Sequence, residues 1–181
     1  MPYRKESNRL PERDYRNEWW YFVTICIKDF KCLFGEVIEW EVVLNELGKI
    51  VEDEILNTEK IRENIEIDQF VIMPNHIHMI IFINDSVETR CGVSNNLNRF
   101  ANGKSLRNCK KFWWLNKNSL WLIINLIKWQ ITKRCKKTNP AFSRQSNYYE
   151  HIIRNDKDLE RIQNYIINNP IKRKNDEYYT S

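Results

Sequence analysis

The chain has 181 residues, 42% of them hydrophobic, with 29 Lys and Arg against 24 Asp and Glu and a formal net charge of +5. That length serves one core, so a single domain over 1–181 is expected. No run approaches the roughly 18–20 apolar residues of a membrane span, and no secretory leader opens the sequence, so a cytoplasmic protein is expected. Cys26, Cys32, Cys91, Cys109 and Cys135 are odd in number and never spaced Cys-x-x-Cys. They read as reduced thiols and not as a disulfide frame or zinc knuckle.

In chain order, Trp20–Ile27 is β-branched and aromatic, as a strand should be. Leu33–Ile38 and Glu41–Asn45 can pair as a hairpin around Glu39-Trp40. Glu46 to about Asn57 carries helical spacing in Leu47, Ile50, Val51, Ile55 and Leu56. Asn64–Met73 and His76–Ile83 read as adjacent antiparallel strands joined through the Pro74-Asn75 turn. Asp85–Lys117 is largely polar until Lys110-Lys111-Phe112-Trp113-Trp114, and reads as a variable insertion; loops of that length are usually functional or disordered. Ser119 to about Cys135 reads as an amphipathic helix, and a short basic tail occupies 171–181. Strands gathered into one sheet with helices laid on it make an α+β domain.

His76-Ile77-His78 opens the apolar strand His76–Ile83. Residues i and i+2 of a strand point to one face, so both imidazoles project together from a rigid element. That is a way to hold one divalent metal between two nitrogens. Two satisfied surface histidines at a strand's start would give the same pattern.

Near the C-terminus, Asn155–Asn169 looks like a helix with marked ends. Asn155 can cap it, Asp156, Asp158 and Glu160 sit near its positive pole, and Pro170 stops it. Leu159, Ile162 and Ile166 form the apolar stripe. Tyr165 and Asn169 are four apart, hence neighbours on one face. They could offer a nucleophile and a metal ligand, or equally a core-edge ring and a C-terminal cap.

Pro-Asn-His-Ile-His on a strand, with Tyr-x-x-x-Asn-Pro on a later helix, resembles the HUH endonucleases. Within these the chain is most similar to the REP-associated tyrosine transposases, relatives of the single-strand insertion-sequence transposases. Trp20–Cys26, Leu33–Glu36, Val43–Val51 and Tyr148–Arg154 resemble further family segments, so the likeness spans about 15–84 and 118–172. The chain departs from the family pattern at Phe142–Asn147 and at the bulky Leu126–Gln130.

The resemblance implies a ferredoxin-like antiparallel sheet, with the histidines on a central strand facing the tyrosine helix. It carries the metal ligands onto His76, His78 and Asn169, and the nucleophile onto Tyr165. Mixed nitrogen and oxygen donors with open positions suit Mg²⁺ or Mn²⁺. The implied activity cuts and rejoins single-stranded DNA beside hairpins through a 5′-phosphotyrosine, with the protein on the nucleoid when bound. A domesticated hairpin binder and a water-using hydrolase are the alternatives, Tyr148 and Tyr149 are competing nucleophiles, and monomer or homodimer stays open.

Basic runs beside aromatics suit single strands, since cations neutralise phosphates and rings stack on bases. Lys110, Lys111, Trp113, Lys133, Arg134, Arg144, Arg154, Lys172 and Arg173 are the candidate DNA contacts. Any one cluster also reads as a solvated lysine-rich surface.

Overall fold

The structure is a computed structural model that describes residues 19–84 and 119–172. Strand β1 (Trp19–Cys26) is followed by a short 3-10 turn, and β2 (Gly35–Ile38) and β3 (Glu41–Leu44) then pair as a separate hairpin. Helix α1 (Glu46–Ile61), strands β4 (Ile65–Ile72) and β5 (His76–Ile83), helix α2 (Leu120–Thr138), strand β6 (Tyr149–Ile153) and helix α3 (Asp156–Ile167) complete it. The main sheet is antiparallel in the order β4-β5-β1-β6. Strand, helix, two strands, helix and strand in that order make the expected ferredoxin-like α+β arrangement.

Period-two alternation sorts the central strands onto two faces. Tyr21, Val23 and Ile25 of β1 and Ile77, Met79, Ile81 and Ile83 of β5 join the core beneath α1 and α2. Phe22 and Ile80 pack on the opposite face with Ile162 and Ile166 of α3. The same strand therefore builds the core with its odd positions and presents His76 and His78 with its even ones. Both strands are nearly all apolar because each is covered on both sides.

Each helix starts where its sequence says. Asn45, Ser119 and Asn155 are N-caps whose side chains accept hydrogen bonds from Gly48, Leu122 and Asp158 backbone N–H groups. Gly48 is required by proximity, because a Cβ there would lie 2.2 Å from the Phe34 carbonyl oxygen.

Several boundaries differ from the sequence reading. The first hairpin strand begins at Gly35, not Leu33, and α1 runs on to Ile61, past Asn57. Tyr149–Ile153, read only as a lead into the last helix, is an edge strand paired along β1. Among the described helices none is long and apolar enough to cross a membrane. Among the described residues Cys26, Cys32 and Cys135 form no disulfide. The expected insertion at 85–117 lies outside the described residues.

Candidate active site

The face of the sheet under α3 carries a row of residues directly opposite one another across all four strands: Val71, His78, Thr24 and Tyr149. His76 stands one pleat along from His78 on the same face, with ring centroids 4.5 Å apart. Both histidines are 1% exposed. They are therefore not surface residues at a strand's mouth; α3 roofs them.

Each imidazole is oriented through Nδ1. His76 Nδ1 lies 2.7 Å from Asn75 Oδ1, a carbonyl oxygen that only accepts, so Nδ1 carries the proton. His78 Nδ1 lies 2.9 Å from Thr24 Oγ1. The Tyr165 hydroxyl is 3.2 Å from His78 Nε2, and donates to it in the tautomer whose Nδ1–H donates to Thr24. In that tautomer Nε2 is the unprotonated nitrogen of both rings, the arrangement that metal-binding histidines adopt. Thr24 and Asn75 were missed in the sequence reading. Asn75 had a local signal, the turn residue beside His76, but Thr24 is identified only by strand register.

Tyr165 of α3 is 38% exposed, so the side chain is partly open to solvent while its hydroxyl reaches down to His78. Phe22 holds the ring edge-on at 6.0 Å while stacking on His78 at 5.3 Å. Tyr149 meets the same Phe22 edge-on at 6.3 Å. Tyr148 lies elsewhere, beneath the Lys128 ammonium at 5.3 Å and against the main core.

Asn169 is 2% exposed and follows the helix end. The capping role falls to its neighbour Asn168, whose Nδ2 donates to the Asn164 carbonyl at 2.7 Å. Asn169 Oδ1 is buried and accepts no hydrogen bond among the described residues. A buried amide oxygen left so costs about 1–3 kcal/mol, which is the mark of a missing partner. No group of three His, Cys, Asp or Glu side chains among the described residues could hold a metal. His76 Nε2 is likewise buried and makes no hydrogen bond among the described residues, and two imidazole nitrogens with one neutral amide oxygen are donor types that would suit a divalent cation.

Tethers to both edges of the sheet fix α3 above these groups. Gln163 Nε2 donates to Asp68 Oδ2 at 2.7 Å, where β4 slips register. His151 Nε2 of β6 donates to Asp158 Oδ2 at 2.9 Å, and Arg161 also donates to that carboxylate. The His151 hydrogen bond holds the Asp158 carboxyl below its ordinary range.

The candidate DNA contacts separate on inspection. Arg134 pairs with Glu54 at 2.7 Å and Asp53 at 3.2 Å, joining α2 to α1. Arg144 is also spent within the protein, its Nε on the Lys128 carbonyl and Thr132 Oγ1. Lys133 is exposed above Trp129, but α2 lies on the far side of the sheet from the histidines. Arg154 just before α3 and Lys172 in the turn that follows it are both exposed. Lys110, Lys111, Trp113 and Arg173 lie outside the described residues.

Comparison with known proteins agrees with this architecture. The chain is similar in structure to a REP-associated tyrosine transposase bound to a REP hairpin, with a TM-score of 0.56 at 20% identity, covering 91% of this chain and 74% of that one. Its fold is therefore the α+β fold of that transposase. A protein of Haemophilus influenzae described as uncharacterized is 36% identical over 179 residues, 97% of this chain and 93% of its own. The chain belongs to one family with that Haemophilus protein. No family model matches it.

Proposed function

We propose that the protein is a metal-dependent single-stranded DNA endonuclease and strand transferase, a transposase that cuts beside hairpins. The observation that carries this reading is the Tyr165 hydroxyl held 3.2 Å from His78 Nε2, above two imidazoles that share a sheet face. The fold is shared with a transposase bound to a REP hairpin, which supports a hairpin in single-stranded DNA as substrate.

His76 and His78 Nε2 and Asn169 Oδ1 would hold Mg²⁺ or Mn²⁺. The bound cation would polarise the scissile phosphate as a Lewis acid, and the neutral ligand set leaves its double charge to match the phosphodiester.

The chain's own residues supply the rest. Tyr165 Oη forms a bond to phosphorus while the bond from phosphorus to the 3′ oxygen breaks. The products are a 5′-phosphotyrosine and a strand ending in a free 3′-hydroxyl. Phenols ionise near ~10, so Oη must lose its proton as it attacks. The hydrogen bond to His78 Nε2 aims the phenol but uses the lone pair a cation would take, so the proton leaves to the solvent that already reaches Tyr165. The ester keeps the energy of the broken bond. A second 3′-hydroxyl can therefore displace the tyrosine and join strands without ATP.

The test incubates single-stranded hairpin oligonucleotides from DNA flanking the gene with protein and Mg²⁺ or Mn²⁺, followed by a denaturing gel. A covalent protein–DNA band lost with EDTA and in Tyr165→Phe is the expected result. Tight binding with no adduct from any strand would make the protein a hairpin binder. Cut ends persisting in Tyr165→Phe would make water the nucleophile.

A further inference from the structure

Helix α3 covers only part of the sheet face that carries the histidines. It starts just after the end of β6, so Ile153 is buried beneath it, and it packs across β4 and β5. Tyr149, at the other end of β6, is four residues from Ile153, about 13 Å at 3.3 Å per residue. The helix does not reach it. Tyr149 is left 43% exposed, although it lies in the same cross-strand row as Thr24 and His78.

Strands in a sheet are about 4.8 Å apart, so Tyr149 stands two strands, roughly 10 Å, from His78. A nucleotide or two of unstacked single strand covers that distance. Phe22 supports both tyrosines edge-on, and the two rings therefore flank one shared aromatic floor. An open ring at this spacing from a nucleophile is a place for a planar, uncharged group belonging to the same strand.

We propose that Tyr149 is a stacking platform for one unpaired nucleobase next to the scissile phosphate. This rests on the reading of the site as a single-strand nuclease. The platform would set which phosphate faces Tyr165: a base seated on Tyr149 fixes the strand's register against the nucleophile. Every base has a π-face, so the subsite recognises an unpaired nucleobase as a class and selects unpaired over paired DNA. The ring makes the contact, and the phenol hydroxyl is not needed.

The test measures binding without cleavage, using Tyr165→Phe protein in EDTA and labelled single strands spanning the cut found in the adduct assay. An abasic analogue is placed at each position around the cut in turn. At one position it should weaken binding about five- to hundredfold, the usual scale for losing one stacked base. Adding Tyr149→Ala should weaken the unmodified strand equally, and the abasic strand no further. Tyr149→Phe and Tyr149→Trp should bind as tightly as the parent.

Unchanged binding in Tyr149→Ala, an abasic penalty that survives it in full, or a loss in Tyr149→Phe would each overturn the platform. If wild-type protein still forms its adduct in those cases, only the platform falls. If it forms no adduct and binds no single strand, the nuclease reading falls with it.

Discussion

The Tyr165 hydroxyl and His78 Nε2 are 3.2 Å apart, although 87 positions separate the residues in sequence. This contact ties the last helix to the middle of the sheet and occupies the nitrogen that a metal would need. A cation bound there would compete with the phenol for one lone pair.

Removing the phenol should thus affect chemistry and metal affinity in opposite directions. Tyr165→Phe should abolish the covalent adduct while binding Mn²⁺ about two- to tenfold more tightly, because a hydrogen bond of ~0.5–1.5 kcal/mol no longer has to be broken. Calorimetric titration of both proteins with Mn²⁺ checks this. Weaker binding in the variant would mean that the hydroxyl assists the metal.

The tether from β6 to α3 gives a second expectation. His151–Asp158 is partly exposed, and pairs of this kind contribute under about 1 kcal/mol. Asp158→Asn, which also removes the Arg161 pair, should therefore lower the urea midpoint only slightly at neutral pH. It should still slow adduct formation severalfold, because α3 is no longer held at its N-terminal end. The carboxyl is held low in the folded state, so its contribution is present above the unfolded carboxylate pKa and fades as pH falls through the folded one. The stability difference between wild type and variant should close in that acid range. Equal adduct rates in the two proteins would remove the tether from the mechanism.

Much of this site was legible because its signals are local. The spacing of His76 and His78 fixes one face of a strand, and Asn155 and Pro170 bracket the helix of Tyr165 within a few residues. What was not legible depends on partners far away in sequence. Tyr149–Ile153 is a strand because β1 lies beside it, and its five residues show no clear alternation. Thr24 faces His78 only through the β1–β5 register. Arg134 and Arg144 carry charges that suit DNA, but Glu54, Asp53 and the Lys128 carbonyl engage them first. Sequence shows the sign of a charge, and tertiary structure decides what it meets.

Lys128 provides a test by pH. Its side chain is fully buried and donates to the Ser146 and Asn147 carbonyls at 2.8 and 3.1 Å, pinning the segment that leads into β6. Burial first, and the Arg144 charge second, bring its pKa down to about 8 from the ordinary 10.5. Between those values the unfolded chain binds the extra proton, so stability rises with pH across that window. Lys128→Met removes the effect. The stability of wild type relative to the variant should therefore increase from pH 7.5 to 10, by ~2 kcal/mol in urea unfolding. A flat difference would show that the amine titrates normally.

Asn169 tests the metal ligands apart from the nuclease reaction. Its Oδ1 is buried without a hydrogen bond, so the amide weakens the metal-free fold unless something binds it. Asn169→Leu replaces it with an apolar side chain of similar size. In EDTA the variant should melt at the wild-type temperature or above it, since an unpaired polar atom has been removed. A cation at a hundred times its Kd stabilises the folded state by about 2.7 kcal/mol, and a tenfold loss of affinity removes about 1.3 of that. The rise in melting temperature with Mn²⁺ should therefore shrink markedly in Asn169→Leu. Asn169→Asp should do the reverse, lowering the metal-free melting temperature through a buried charge and enlarging the Mn²⁺ rise. Equal Mn²⁺ rises in all three proteins would show that Asn169 does not touch the metal and that its unpaired oxygen serves something else.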